Sequence, residues 1–369
     1  MNLNLSIQKQ ITLIILLVSF LWFEKNIFYS IDEHQIPPEK NYPEQIKILP
    51  SGTKYLVNPS HITSDINVLS KTKQKEIHAL FNPNFETIES ANNWLNDNDI
   101  IFGVEQKNES KAYPQKIIQH HYVVNDNINK KPITLTYSPA TKTIVLFSPK
   151  IDNQILEFNA TLKNYNKVLI IKDTLTESLW TQIDGKAIVG DFSGKTLKAK
   201  AVQSMLWKDW KRLHPNTKVL SKNTGFKIMY ESTKDEFKFQ PNTQPKLIAG
   251  VFVDGENKAY SLNHIKKTKI INDEINKEAI LIVQDPSIEL NEKENINPTA
   301  IFKRYVGNGE TLTFKIQDNT LIDIQTETIW NFEGKAVEGF YKGKQLKKLA
   351  NKNTTWSIWK KVFPKTLFC

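Results

Sequence analysis

The 369-residue chain is long enough for two domains, and its 40% apolar and 24% charged residues, with 19 Phe and 8 Trp, support buried cores and exclude a disordered polypeptide. Its formal charge of +10 rests on lysine: of 49 basic residues only Arg212 and Arg304 are arginine, leaving 49 − 2 = 47 lysines scattered without a basic block, which argues against a nucleic-acid partner. The one cysteine, Cys369, excludes an intramolecular disulfide and a thiolate metal cluster within one chain.

Residues 11–23 form an apolar run behind Lys9, ITLIILLVSFLWF, with Trp22, Phe23, Phe28 and Tyr29 as interfacial anchors. At ~1.5 Å per residue the run covers only ~20 Å, the length of a secretory core segment. No small-residue cleavage site follows it, so the expectation is an uncleaved signal anchor over residues 1–30, with the bulk of the chain facing the periplasm or exterior. Residues 31–78 carry Pro37, Pro38, Pro43, Pro50 and Pro59 and are expected to form a linker. A short capped helix is predicted at Thr87–Leu95 and a strand at Ile100–Gln106. A helical turn is expected after Pro114, then a strand His121–Val124, a turn Asn125–Lys131 and a strand Ile133–Tyr137. On a strand His120 and His121 would point to opposite faces. Further strands follow at Thr143–Phe147, Ile155–Asn159 and Lys167–Ile171, and the helix from Trp207 carries Trp207 and Trp210 on one face.

The same landmarks recur. Gly103, Ala112-Tyr113, Asn125-Asp126 and Pro139 return as Gly250, Ala259-Tyr260, Asn272-Asp273 and Pro286, each displaced by 147 (250 − 103, 286 − 139). Gly185, Trp207, Trp210 and Pro215 return as Gly334, Trp356, Trp359 and Pro364, each displaced by 149 (334 − 185, 364 − 215). Such register implies an internal duplication. The expected architecture is a sheet-dominated α+β fold of two similar tandem domains, residues 79–222 and 246–369, joined by a linker at 223–245. A short Trp-bearing helix closes each domain.

Several of these motifs together resemble the bacterial and archaeal family called domain of unknown function 3179. They are Ala112-Tyr113-Pro114, His120 to Asp126, Thr136 to Thr141, Ser178-Leu179-Trp180, Gly185 to Gly190 and Trp207 to His214-Pro215. The family's paired cysteines, in some members with selenocysteine, imply thiol or selenol redox chemistry or metal binding. Here Ser138 and Thr141 occupy those positions, and a hydroxyl cannot cycle between reduced and oxidised states. The expectation is therefore a membrane-anchored extracytoplasmic binding or scaffold module without catalysis, contacting an envelope ligand or protein and needing neither cofactor nor metal. The alternative is a cysteine-independent hydrolase using His121 with Asp126 or Ser138. Tyr113, Asn125 and Trp180 are further candidates for binding, and the first repeat is expected to hold any remaining site.

Overall fold

Strands dominate the computed structural model, and every described helix is short, from four to seven residues. The structure describes residues 77–107, 109–165, 168–230, 246–291, 296–307 and 309–369, together with the short strands Ile46–Ile48, Lys54–Leu56 and Ser70–Lys71. The apolar run at 11–23, most of the 31–78 linker and residues 231–245 lie outside the described residues.

Helix α1 (Ile88–Ala91), capped by Thr87, leads into the first half. There β1 (Ile100–Gln106) and β2 (Glu109–Pro114) form a hairpin. Helix α2 (Gln115–His121) follows, then β3 (Val123–Ile128), β4 (Lys131–Ser138) and β5 (Thr143–Ser148) as a meander. A second meander comprises β6 (Phe158–Tyr165), β7 (Val168–Asp173), β8 (Leu179–Thr181) and β9 (Ala187–Val189). Strand β10 (Gln203–Leu206) pairs antiparallel with β1 and runs into α3 (Trp207–Leu213), and β11 (Lys218–Leu220) pairs parallel with β2.

The second half follows the same course. Its hairpin is β12 (Leu247–Val253) with β13 (Glu256–Ser261), followed by α4 (Leu262–Thr268). One meander holds β14 (Ile270–Ile275), β15 (Glu278–Val283) and β16 (Ala300–Lys303). The next holds β17 (Phe314–Gln317), β18 (Thr320–Asp323), β19 (Ile329–Trp330) and β20 (Ala336–Glu338). Strand β21 (Asn351–Thr355) enters α5 (Trp356–Val362), and β22 (Leu367–Phe368) pairs parallel with β13. Even the irregularity between β8 and β9 at Leu179/Trp180 has its equivalent between β19 and β20 at Ile329/Trp330.

Local chemistry accounts for these elements. Two-residue hairpins of type I′ need positive φ at both central positions, where Asn is among the favoured residues. The β3–β4 turn uses Asn129 and Lys130 (φ 48° and 58°), and the β14–β15 turn uses Asn276 and Lys277 (46° and 62°). Helices α3 and α5 both end at a residue with φ −125° and ψ 72°, His214 and Phe363, a non-helical backbone consistent with the bar that Pro215 and Pro364 place on the α conformation before them. Their inner indoles, Trp210 and Trp359, are fully buried against the sheets. Removing a buried indole of this kind costs ~3–5 kcal/mol.

The halves are joined by backbone as well as side chains. Strand β5 pairs with β21 through Ile144 and Asn353, so the first meander continues into the second hairpin sheet. A reciprocal bridge links Ser204 of β10 to Asn297, just ahead of β16. Val168 and Ile183 of the first half share an apolar cluster with Ile358 and Trp359 of the second.

Two sequence expectations are corrected. His121 is not on a strand: α2 runs to His121 and stops at Tyr122, whose φ of +61° lets its N–H cap Ile118 O. The extra turn aligns Ile117, Ile118 and His121 on the buried face, a gain the strand-favouring Tyr122-Val123-Val124 concealed. Asn125 and Asp126 are not in a turn either; both lie within β3, and the turn is confined to Asn129-Lys130.

Candidate functional site

Asn125 and Asp126 are builders of the fold. The Asn125 amide donates to Phe158 O at 2.9 Å and accepts from Phe158 N at 2.9 Å, holding β3 to the start of β6 where no ladder runs. Asn272 does the same with Phe314, both bonds at 2.8 Å. Buried Asp126 accepts from Lys111 Nζ at 2.8 Å and from the Tyr113 hydroxyl at 2.7 Å. Asp273 accepts from Lys258 Nζ at 2.6 Å and the Tyr260 hydroxyl at 2.7 Å. Burial, then the Asp126 charge, raises the Tyr113 phenol well above its ordinary range, so it stays a donor. Trp180 is fully buried and donates to Asp173 Oδ2 at 2.9 Å. The polar atoms of Tyr113, Asn125 and Trp180 are thus engaged inside the protein.

His121 belongs to the first half alone; its counterpart Thr268 bonds its own helix at His264 O. Its Nδ1 lies 2.7 Å from His78 O and its Nε2 2.5 Å from the Tyr230 hydroxyl, which contacts Thr224 Oγ1 at 2.6 Å. A carbonyl only accepts, so Nδ1 carries the proton and Nε2 accepts from Tyr230. Neither nitrogen is engaged by Asp126 or Ser138. Burial lowers the His121 pKa, against the pull of His78 O, with His120 and His78 adding to the lowering. Phe226 lies against the ring at 5.3 Å between centroids. The stretch from Thr224 to Tyr230 is therefore fastened to α2 by a neutral imidazole.

The linkage has a sign. With its folded pKa lowered, His121 contributes stability that is complete above its unfolded pKa of about 6.5 and declines as the pH falls below it. Buried His214 shifts the same way, so the informative quantity is a difference between variants. The stability gap between the natural chain and His121→Gln, from urea midpoints, is expected to narrow from about pH 7.5 to about pH 5. A constant gap would mean that His121 is not held neutral.

Ser138 and Thr141, at the family's cysteine positions, are both buried at the β4–β5 turn. Thr141 Oγ1 meets Thr143 Oγ1 at 2.8 Å, and Thr143 Oγ1 meets Thr354 Oγ1 of β21 at 2.8 Å. This hydroxyl chain crosses from one half to the other. Lys352, two residues before Thr354 and so on the same face of β21, is buried, and that burial pushes its ammonium down to about 8 although Asp184 pulls it up.

A second polar group lies at the same junction, and the sequence pattern did not reveal it. Glu105 of β1, His214 at the end of α3 and Glu333 after β19 bring three ligand-type atoms within 4.8 Å of one another. His214 Nε2 lies 3.7 Å from Glu333 Oε2. Burial and the neighbouring Glu333 hold the Glu105 carboxyl above its usual range. Burial pushes Glu333 up, but Lys348, Glu105 and His214 outweigh it and carry the carboxylate down. Beside this group lies a cavity of about 150 Å³ between the halves, lined in part by Met205, Leu213, Ile288, Phe332 and Glu333. His214-Pro215 was visible as a motif, but its partners come from distant parts of the chain.

Fold and site together define a sheet-dominated α+β protein whose polar candidates serve mainly its architecture and whose remaining functional groups sit where its halves meet. The chain belongs to the family described as Protein of unknown function (DUF3179), which matches residues 74–366. No curated protein and no solved structure matches it.

Proposed function

We propose that this chain is a membrane-anchored extracytoplasmic protein whose folded body is a non-catalytic binding or scaffold module. The observation that carries this reading is the state of the cysteine positions. Thr141 is tied through Thr143 to Thr354, so a hydroxyl chain bracing the two halves stands where a thiol pair would need to be reactive. The engagement of both His121 nitrogens supports the same conclusion. Anchoring rests on the apolar run at 11–23; among the described residues no helix is long and apolar enough to cross a membrane. The body comprises two units, 79–222 and 246–369, derived by duplication and related by an approximate two-fold axis. The constant offsets, the common strand order and the reciprocal bridges Ile144–Asn353 and Ser204–Asn297 support that descent.

Fractionation and chemical labelling of cells expressing the full chain test the proposal. The full-length protein is expected to stay with carbonate-washed membranes and to take no label from a fluorophosphonate. Release at full length would remove the anchor. Labelling at Ser138 that disappears in His121→Gln would replace the binding module with a hydrolase.

A further inference from the structure

We propose that Glu105, His214 and Glu333 bind one divalent first-row transition-metal cation across the junction of the two halves. The three donor atoms lie within 4.8 Å of one another, so small side-chain adjustments bring them to the ~2.0–2.2 Å bonds that imidazole and carboxylate ligands make. A second observation is independent of this clustering. The His214 side chain is 8% exposed, yet its Nε2, the atom facing Glu333, has no hydrogen-bond partner, and neither has Glu333 Oε2. Buried polar atoms are rarely left unpaired, and here two of them face each other.

The setting favours a cation. A tilted ring contact with Trp210, centroids 3.8 Å apart and planes at 37°, holds the imidazole with Nε2 facing Glu333. Lys348, whose charge also acts on both carboxyls, has its ammonium donating to Gln203 Oε1 at 3.0 Å. Two adjacent carboxylates need a proton or a cation between them.

The donor set indicates the class of metal. One imidazole nitrogen with two carboxylate oxygens suits Zn²⁺, Mn²⁺ or Fe²⁺ better than Mg²⁺, which dehydrates reluctantly and prefers oxygen ligands. Three protein ligands leave at least one coordination position for water or a small anion, and Glu333 also lines the adjoining cavity. Because Glu105 and His214 belong to the first half and Glu333 to the second, the ion also fastens the halves together.

The full chain, solubilised in detergent and stripped with a chelator, is titrated with Zn²⁺, Mn²⁺ and Mg²⁺ by calorimetry and by thermal unfolding, with metal content measured after dialysis. One Zn²⁺ or Mn²⁺ per chain is expected, with a raised unfolding temperature, and Mg²⁺ is expected to be much weaker. Glu105→Gln and Glu333→Gln should each weaken binding by at least ~10-fold. Glu105 is the most solvent-accessible of the three residues even though its carboxyl is partly desolvated beside Glu333, so its variant keeps the test valid if the Glu333 variant fails to fold. A Co²⁺-loaded sample should show visible absorption bands that the Glu105→Gln chain lacks. Unchanged stoichiometry and affinity in Glu105→Gln, or no ion retained by the natural chain, would overturn the site.

Discussion

Gly103→Ala and Gly250→Ala are each expected to destabilise the protein by ~3 kcal/mol or more, the upper end of the cost of overpacking. A Cβ on Gly103 would run into three ring atoms of Trp210, with Cη2 the farthest at 2.6 Å. A Cβ on Gly250 would meet Trp359 in the same way, with Cε3 the farthest at 2.6 Å. The indoles cannot retreat. Trp210 Nε1 donates to Thr217 Oγ1 at 2.9 Å, Trp359 Nε1 donates to Thr366 Oγ1 at 3.0 Å, and each ring is covered on its outer face by His214 or Phe363. Glycine is present in both strands because the closing helix presses an aromatic ring flat onto the sheet. Urea unfolding of purified variants measures the effect. Midpoints equal to that of the natural chain would show that the rings do not rest on these glycines.

The second large effect is expected at Asp173 and Asp323. Fully buried Asp173 accepts from Trp180 Nε1 at 2.9 Å, Thr176 N at 2.7 Å, Leu175 N at 3.1 Å and the Thr176 hydroxyl. Asp323 accepts from Trp330 Nε1 at 2.9 Å, Thr326 N at 2.7 Å and the Thr326 hydroxyl. Hydrogen bonds to a charged acceptor are worth ~1.5–3 kcal/mol each, and truncation leaves an indole N–H unpaired in the core. Asp173→Ala and Asp323→Ala should therefore each cost at least ~3 kcal/mol, while Asp173→Asn, which keeps one acceptor oxygen, should cost less. Equilibrium unfolding together with the near-ultraviolet dichroism of the tryptophans reports both. A loss below ~1 kcal/mol in the alanine variants would show that the aspartate does not support its Trp.

What the sequence revealed was local or periodic. The strand Ile100–Gln106 emerges with the bounds expected of its apolar run, and the Trp helices begin where β10 and β21 hand over to Trp207 and Trp356. Membership of the family was legible from its motifs, and the family match bears it out. Features set by distant partners were not legible. Asn125-Asp126 reads as a turn because those residue types favour turns, yet Phe158, Lys111 and Tyr113 determine their conformation. His121 reads as strand because Tyr122, Val123 and Val124 follow it, but burial beside Ile117 and Ile118 decides for helix. The Glu105, His214 and Glu333 group has no spacing signature, since three separate elements converge to make it.

The pairing of β5 with β21 has a consequence for biogenesis. The first half is synthesised ahead of β21, so the Ile144 end of β5, whose Leu146–Ser148 stretch pairs with Lys198–Lys200, and the apolar patch at Val168 and Ile183 stay uncovered until Asn351–Thr355 and α5 are made. Asn351–Thr355 and α5 thus complete a surface that the first half begins. A product truncated before them would keep a sticky flank, and a gene fragment encoding the first half alone would yield a species prone to self-association.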